Sequence, residues 1–272
     1  MLRPERGSYT CIGSEGSNAS TVIGQVAWEG NSPSANLSFL APFDLLNSAA
    51  AAAVLDELVC NAGGNGALHV LAELDETNPF FEILRNAGFS AYAWQRIWKI
   101  DAPHLVEKPT QSEWQPASSD DAIAIRALFQ SQVPPVIQGI EHPMPQHSPA
   151  WVLRREGELV GYAEGVFGAR GICIYSLFPP NLENMTHALC DLLGQITAMG
   201  RPVYMVVRLY QAHIERNLRE LGASESPLVA VLVKHLALAQ RVPATASRRA
   251  LLENRQTETN APMAQNIKSK EK

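Results

Sequence analysis

Between residues 68 and 100 the chain follows the order strand, helix, strand in its apolar and polar positions. Residues 68–74 are mostly apolar, with a polar break at Glu73, which predicts a buried strand. Asn78 is typical of a residue that caps a helix start, and Gly88 is typical of a left-handed helix end. Aromatic and β-branched residues then predict a second strand that ends at residue 100.

The same order of elements returns between residues 202 and 236. Leu-Arg-x-x-Gly ends the predicted helix in both segments, and its glycines, Gly88 and Gly222, lie 134 residues apart. The segments VIGQ around Gly24 and LVGY around Gly161 match at a similar offset, 137 residues. Two similar offsets predict a duplicated domain with small insertions, and chance similarity of short segments is the alternative.

Alternating and 3.6-residue patterns predict the remaining elements. Further strands are predicted at residues 8–12, 21–28, 35–41, 151–156, 158–166, 171–178, 203–209 and 228–235. Further helices are predicted at residues 45–60, 182–199 and 212–221, and after Ser118, which forms a capping-box variant with Asp121. The inward face of the first of these is predicted to carry Leu45, Ala49, Ala52, Leu55 and Val59.

Breaks in these patterns predict two domains and a tail. The first domain spans residues 1–102 and the second spans residues 114–238. Residues 103–113 are polar, contain two prolines and have no periodicity, which indicates a linker. Residues 239–272 have few large apolar side chains, which predicts a disordered tail.

The first predicted domain is shorter at its front than the second. Gly24 lies 23 residues after Met1, whereas Gly161 lies 47 residues after Trp114. This difference leaves no room for a first strand and two helices before Gly24. We therefore expect the first domain to be incomplete, to start late in this sequence, or to be completed by another element. A homodimer whose partner supplies the missing front is one such arrangement.

Three segments of the chain carry a family resemblance. They are Thr77-Asn78-Pro79 with Gly88-Phe89, the hairpin at residues 156–163, and the strand and helix start at residues 114–121. In this order they resemble the GNAT N-acetyltransferase superfamily, over roughly residues 8–237. The resemblance implies an α+β fold with two GNAT-like mixed sheets flanked by helices, of which the first lacks its N-terminal strand and helices. It also implies that each sheet splays between its fourth and fifth strands to form a cleft.

The resemblance implies acetyl-CoA as a co-substrate, with its pyrophosphate at the helix start after the fourth strand. In the first copy it assigns cofactor binding to five residues: Leu40, Ser48, Ala49, Ala50 and Asn78. Leu45 stands where the family has an arginine. The second copy has no glycine in this loop, and Glu183 near the helix start would repel a phosphate. Ordinary helix starts are the alternative in both copies, and capping alone would explain Asn78.

No catalytic residue can be assigned from the sequence. The family often uses a tyrosine four residues before the helix-ending glycine, and Leu84 and Leu218 stand at that position. It also often uses a glutamate on the fourth strand, but the fourth strand of each copy lacks a carboxylate. Tyr175 lies on the second of these strands, where a core position is the alternative to a functional one. Glu73 and Arg208 interrupt the two fifth strands at matching places. They either contact a substrate or lie exposed at a strand edge.

Composition excludes several classes of protein. The 272 residues are 46% hydrophobic and carry a net charge of −5 with a pI near 5.8, so a nucleic-acid partner is not expected. We expect no signal peptide and no membrane span.

The four cysteines form no C-x-x-C, which predicts buried reduced thiols. Glu141, His142 and His147 lack a third ligand at suitable spacing, so no metal is expected.

The resemblance therefore implies an acetyl-CoA-dependent N-acetyltransferase of the GNAT type, and we expect a cytoplasmic protein. Its acceptor, a small-molecule amine or a peptide, is not specified by the residues. The alternative is a non-catalytic GNAT-like scaffold for binding or oligomerisation, in which the coenzyme A loop is degenerate.

Overall fold

A computed structural model of the chain describes residues 6–15, 20–29, 32–100, 112–141, 149–197 and 201–236. Its strands are β1 (Arg6–Glu15), β2 (Ser20–Glu29), β3 (Ser34–Ala41), β4 (His69–Asp75), β5 (Ser90–Ile100), β6 (Trp114–Pro116), β7 (Ala150–Arg155), β8 (Glu158–Phe167), β9 (Ile172–Leu177), β10 (Val203–Arg208), β11 (Ser224–Glu225) and β12 (Val229–His235). Its helices are α1 (Ala49–Gly64), α2 (Phe80–Asn86), α3 (Ala122–Gln132), α4 (Pro135–Gln138), α5 (Met185–Thr197) and α6 (Glu215–Glu220). The predicted tail and almost all of the predicted linker lie outside the described residues, so these domain boundaries stay predictions.

The strands form one continuous mixed sheet. Its order is β1-β2-β3-β4-β12-β5-β10-β9-β8-β7-β6, and β11 pairs with β5 beside this path. The last strand, β12, lies between β4 and β5 of the first half, because Val231 pairs with Glu73 on one side and with Ala93 on the other. Strand β5 in turn pairs with β10 of the second half. The final strand of each half, β5 or β12, therefore pairs with strands of the other half.

The two Leu-Arg-x-x-Gly segments end their helices with the same geometry. Gly88 and Gly222 both have left-handed backbone, with φ of 88° and 76°. The amide of the next residue reaches back to the carbonyl of Leu84 in one case and of Leu218 in the other, each at 3.0 Å. Glycine adopts this conformation without a steric penalty, and the pattern is that of a Schellman motif. The sequence match thus corresponds to a match in structure.

Gly24 and Gly161, the other matched pair, both lie where a side chain has no room. A Cβ added to Gly24 would come within 2.7 Å of the Leu40 side chain and within 2.8 Å of Leu58. A Cβ added to Gly161 would lie 3.0 Å from Leu153. Both glycines allow close packing against the sheet.

Three apolar clusters hold the helices on the sheet. The first joins α1 and α2 to the β2–β4 region and β12, and includes Leu58 and Leu232. The second packs α5 and α6 against β8–β10 and includes Leu192. The third lies on the other face, where Phe129 of α3 shares a cluster with Val231 of β12. Strand β12 therefore contributes to two clusters, on opposite faces of the sheet.

Helix α1 differs from its prediction in start and in buried face. It begins at Ala49 and not at Leu45, because Ser48 caps it by accepting a 3.1 Å hydrogen bond from the amide of Ala51. A short 3-10 helix occupies Phe43–Leu45 instead. Ala49 and Ala52, which we predicted to face inward, are exposed. An alanine-rich segment has little periodicity, so its pattern does not indicate which side packs.

The capping box that opens the second half is confirmed. Asp121 accepts hydrogen bonds from the amide of Ser118 at 2.7 Å and from its hydroxyl at 2.8 Å, and it also pairs with Arg154. The bond from the Ser118 amide lowers the pKa of Asp121, burial opposes this, and the Ser118 hydroxyl and Arg154 lower it further. This carboxylate therefore joins the helix start to β7.

The prediction that all four cysteines are buried is wrong. All are free thiols, but Cys60 is exposed, and Cys11, Cys173 and Cys190 are half-buried. Cys60 lies on the exposed side of α1. Among the described residues, no helix combines the length and apolar character needed to cross a bilayer.

Candidate functional site

Two pairs of parallel strands separate toward their carboxyl ends. Strands β3 and β4 pair only from Ser34 with His69 to Asn36 with Leu71, although both continue further. Strands β9 and β10 pair up to Tyr175 with Val206 and then diverge. The carboxyl ends of parallel strands are where open sheets bind ligands. The two predicted clefts therefore exist, one in each half.

A pocket occupies the cleft of the second half. It has a volume of about 90 Å³ and lies on the face of the sheet that carries α3. Phe129, Tyr162, Tyr175 and Tyr210 form its aromatic walls, and its charged groups are Glu141, Glu164 and Arg208. Tyr175, for which a core position was the alternative, is 36% exposed at this pocket. Two carboxylates outnumber the single guanidinium, so the pocket favours a cationic ligand.

Arg208 is the centre of a hydrogen-bond chain across the sheet. Its guanidinium donates to Glu141 Oε1 and to Gln95 Oε1, each at 2.5 Å. Gln95 is 1% exposed and donates through Nε2 to Glu73 Oε2 at 2.9 Å. Glu73 and Arg208, which the sequence placed at matching positions, are thus joined through one buried amide. Burial would lower the pKa of Arg208, but Glu141 and the other anionic neighbours outweigh it and raise that pKa.

The two pocket carboxylates each accept a hydrogen bond from a tyrosine. Tyr92 Oη donates to Glu141 Oε1 at 2.6 Å, and Tyr162 Oη donates to Glu164 Oε2 at 2.7 Å. Burial, followed by the adjacent carboxylate, raises the pKa of both tyrosines, so they remain hydrogen-bond donors at neutral pH. Glu164 pairs in register with Tyr175. The fourth strand of this half, β9, has no carboxylate of its own, but Glu164 lies beside it on the neighbouring strand β8.

Two further polar residues line the pocket, and their side chains are buried. Ser176 is 6% exposed and Gln211 is 2% exposed. Neither the hydroxyl oxygen of Ser176 nor the amide nitrogen of Gln211 has a hydrogen-bond partner among the described residues. A buried donor without a partner costs about 1–3 kcal/mol. Alternation along β9 places the Ser176 side chain with Ile172 and Ile174 on the α5 face, so of these two groups only the Gln211 amide is a candidate for ligand contact.

The five residues that the resemblance assigned to cofactor binding flank the cleft of the first half. Leu40 packs over Gly24 on the side of α1, and Ser48, Ala49 and Ala50 surround the start of that helix. Ser48 uses its hydroxyl to cap α1. Asn78 follows β4, and its Oδ1 accepts a 2.9 Å hydrogen bond from the Phe80 amide. Capping thus accounts for Ser48 and Asn78, and donor binding by these five residues stays a prediction.

An arginine stands beside the corresponding loop of the second half. Arg155, the last residue of β7, donates to the carbonyl of Glu183 at 2.5 Å and pairs with Glu113 at 3.3 Å. The sequence prediction sought a cation only inside the loop and therefore missed it. Asn184, just before α5, has left-handed backbone with φ of 52°, which provides a tight turn where the family has glycine.

Sequence reasoning singled out Glu73, Tyr175 and Arg208 but missed the residues around them. Gln95, Glu164 and Gln211 come from three separate elements, so no spacing along the chain connects them. Glu164 had one available signal, since it is a charge inside an otherwise apolar strand. No group of three or more potential metal ligands lies close together in the described parts of the chain.

Solved structures share this architecture at low sequence identity. A GCN5-related N-acetyltransferase from Kribbella flavida is 14% identical, with 86% of this chain and 91% of that chain covered and a TM-score of 0.54. A GCN5-related N-acetyltransferase from Sphaerobacter thermophilus is 13% identical, with 80% and 77% covered and a TM-score of 0.51. A tandem GNAT protein from the clavulanic acid biosynthesis pathway is 12% identical, with 88% and 86% covered and a TM-score of 0.50.

No family model and no curated protein matches the sequence. Similarity to solved structures at these low sequence identities establishes a shared fold. The clefts and the mixed sheet agree with it, and the protein therefore has an α+β fold of the GNAT type.

Proposed function

We propose that the protein is an acyltransferase that moves an acyl group from acetyl-CoA, or a related acyl-CoA, to an amine. The observation that carries this proposal is the pocket of the second cleft, where Glu141 and Glu164 lie among tyrosines at the point where β9 and β10 diverge. The GNAT fold supports the class of reaction. The charges of the pocket support the class of acceptor.

The donor's phosphates are assigned to the start of α5. Its first amides point out of the helix end, and the guanidinium of Arg155 lies beside the preceding loop. The fit is incomplete, because Glu183 is exposed in that loop and opposes an anion. We assign phosphate contact to the backbone of residues 184–187 and to Arg155, and we place the acyl end toward the pocket.

Glu164 is the proposed general base. A neutral amine in the pocket would attack the thioester carbonyl carbon, forming a C–N bond while one proton passes from the nitrogen to the Glu164 carboxylate. Collapse then breaks the C–S bond, and the thiolate leaves with the electron pair and takes up a proton. Tyr162 holds the Glu164 carboxylate by its 2.7 Å hydrogen bond, which orients the base.

The cleft of the first half has a different proposed role. Its predicted residues Leu40, Ser48, Ala49, Ala50 and Asn78 remain a proposed second donor site. We infer that the two halves derive from one duplicated unit and that the chemistry belongs to the second. The non-catalytic scaffold keeps one specific observation in its favour, the exposed Glu183 at the phosphate position.

A thermal shift and a turnover assay separate these two functions. Acetyl-CoA at millimolar concentration should raise the melting temperature, because a ligand of the native state stabilises it. Glu164→Gln should lower kcat by about 100-fold with a panel of amines while the thermal shift with acetyl-CoA persists. Glu158→Gln, on the same strand but exposed at the hairpin, is the matched control and should keep full activity. No shift with acetyl-CoA, succinyl-CoA or free coenzyme A would support the scaffold.

A further inference from the structure

Two histidines face each other at one end of the β4–β12 strand pair. His69 is the first residue of β4 and His235 is the last residue of β12, and the antiparallel register places them directly opposite each other. Directly opposite residues of two strands carry their side chains on the same face of the sheet. The two histidines are 166 positions apart in the chain, so no sequence spacing connects them. Only the fold brings this pair together.

The two rings approach each other through nitrogen atoms of the same type. Nδ1 of His69 lies 3.1 Å from Nδ1 of His235, and the ring centroids are 4.9 Å apart with an angle of 88° between the ring planes. The centroids are farther apart than the nitrogens, so each ring turns a nitrogen edge, not its face, toward the other. Two basic nitrogens therefore border one small space.

The distance between these nitrogens suits two ligands of one metal ion. With metal–nitrogen bonds of about 2.0–2.1 Å, a 3.1 Å separation gives an N–metal–N angle of about 95–102°. This value lies between the angle of about 90° in square-planar sites and that of about 109° in tetrahedral sites. A hydrogen bond between the two nitrogens has a similar length, so a binding experiment has to distinguish the two.

The surroundings suit a cation that keeps some of its water ligands. His235 is exposed and His69 is half-buried, so an ion between them stays in contact with solvent. The neighbouring cation on β12, Lys234, points to the opposite face, where its Nζ lies 3.9 Å from Oδ1 of Asp56 on α1. Imidazole nitrogen is a good ligand for zinc, nickel and copper ions, whereas magnesium and calcium ions prefer oxygen.

We propose that His69 and His235 form a two-histidine site for a divalent transition metal ion, with water completing its coordination. The site lies at the end of β4 away from the first cleft, because β3 and β4 pair from Ser34 with His69 onward and separate only after Leu71. A bound ion joins a strand of the first half to the last strand of the second. It stabilises this strand pairing, and the inference does not depend on the proposed acyltransferase function.

Calorimetric titration with Ni²⁺ and with Zn²⁺ tests the site in the full chain without a polyhistidine tag. The titration is run at pH 7.5, because a metal binds the neutral imidazole. His69→Gln and His235→Gln should each weaken binding by at least about tenfold, because one imidazole cannot chelate the ion. The double variant should bind within about twofold of the weaker single variant, since the two losses share one cause.

The matched control is His187→Gln. The His187 side chain is 62% exposed, and its Nδ1 lies 3.9 Å from a carboxylate oxygen of Glu113, so its partner is not a second imidazole. This variant should keep the wild-type affinity for both ions. Mg²⁺ should give no binding that depends on His69 or His235.

Two further measurements separate metal binding from a structural role of the pair. In electron paramagnetic resonance at half-stoichiometric Cu²⁺, the wild-type signal should be split by two nitrogens and that of each single variant by one. Without metal, both single variants should melt within about 2 °C of wild type, because the pair lies at the surface. Ni²⁺ at about 100 times its Kd should raise the wild-type melting temperature by roughly 5–10 °C, and that of the variants by about half as much or less.

The inference is overturned if neither Ni²⁺ nor Zn²⁺ binds the wild-type protein at millimolar concentration, in which case the two histidines share only a hydrogen bond. Unchanged affinity in both single variants, or an equal loss in His187→Gln, would place the ion elsewhere and overturn it as well. None of these results changes the acyltransferase proposal, which is tested separately with acetyl-CoA.

Discussion

The guanidinium of Arg208 is held from two sides, by Gln95 of the first half and by Glu141 of the second. The Arg208 and Glu141 side chains are 11% and 21% exposed, so this ion pair is largely removed from water. Each charge stabilises the other, because removal of either one would leave the other buried without an opposite charge. Arg208 also lines the pocket, so the same residue affects both folding stability and ligand contact.

Removing one partner of this pair should cost more than removing both. Arg208→Met leaves Glu141 without its cation and should lower the free energy of unfolding by about 3 kcal/mol. The double variant with Glu141→Gln should recover part of that loss, as measured by urea denaturation in a double-mutant cycle. Arg216→Met is the control, since Arg216 and Glu220 are 86% and 48% exposed, and it should cost less than about 0.5 kcal/mol. Additive losses in the cycle would contradict the coupling.

Asp121 should make stability depend on pH in the acid range. Its pKa is lowered in the folded protein, so the unfolded chain binds a proton first as the pH falls. Its contribution is therefore complete above its unfolded pKa of about 4 and is lost as the pH falls through the lower folded value. Asp121→Asn should be less stable than wild type by about 1–2 kcal/mol at pH 6, and the gap should be narrower at pH 3. Thermal melts at both pH values test this, and a constant gap would contradict it.

At the scale of elements, Gly24 shows how closely α1 approaches the sheet. A methyl group there would meet Leu40, Leu58 and Val54, all within 3.0 Å. These three side chains come from β3 and α1, so the glycine sets the distance between two elements. Its matched glycine in the second half, Gly161, is similarly crowded.

Gly24→Ala should therefore destabilise the first half. Overpacking of this kind costs about 1–3 kcal/mol, because the neighbours must shift. Gly64→Ala, at the end of α1, adds a methyl group that meets nothing within 4 Å and should be neutral or stabilising by up to about 1 kcal/mol. Chemical denaturation of both variants gives the comparison. Equal effects at the two sites would contradict the close packing seen at Gly24.

At the scale of the whole molecule, the exchange of β5 and β12 links the halves. Strand β12 pairs along its length with β4 and β5, and β5 pairs with β10. A first half alone would leave β4 and β5 without the strand between them, and a second half alone would leave β12 unpaired. Exposed strand edges and apolar faces of this kind promote aggregation.

The two halves should consequently fold together and not separately. Fragments divided within residues 101–111 should each lack a cooperative thermal transition, whereas the co-expressed pair should purify as a complex with a circular dichroism spectrum like that of the intact chain. An intact chain cut at the same place by an inserted protease site controls for the break itself. Cooperative folding of either fragment alone would instead support two independent domains and the predicted boundaries.

Local features were predictable because nearby residues decide them. Both left-handed helix ends, at Gly88 and Gly222, and the Ser118 capping box follow from backbone sterics and short-range hydrogen bonds. Helix α1 was predicted too early because five consecutive alanines fit any helical register, and the cap at Ser48 fixed the start. Where the identity of a side chain restricts the backbone conformation, the sequence alone is sufficient to predict the local structure.

The site was predictable only in part. Glu73, Tyr175 and Arg208 stood out as polar or aromatic interruptions of predicted strands. Gln95, Glu141, Glu164 and Gln211 gave no combined signal, because they meet through strand order and through the segment after α4. Arg155 was missed because its contact with the loop before α5 bridges β7 and that loop.

By itself, the sequence determined the order of most strands and helices and the matched glycines of the two halves. These depend on periodicity and on backbone conformations that single residues permit or forbid. Only the tertiary structure decided that β12 inserts between β4 and β5 and that Gln95 connects Glu73 to Arg208. Strand neighbours are chosen by the burial of whole faces and by hydrogen bonding between distant segments, and that choice depends on no short stretch of the chain.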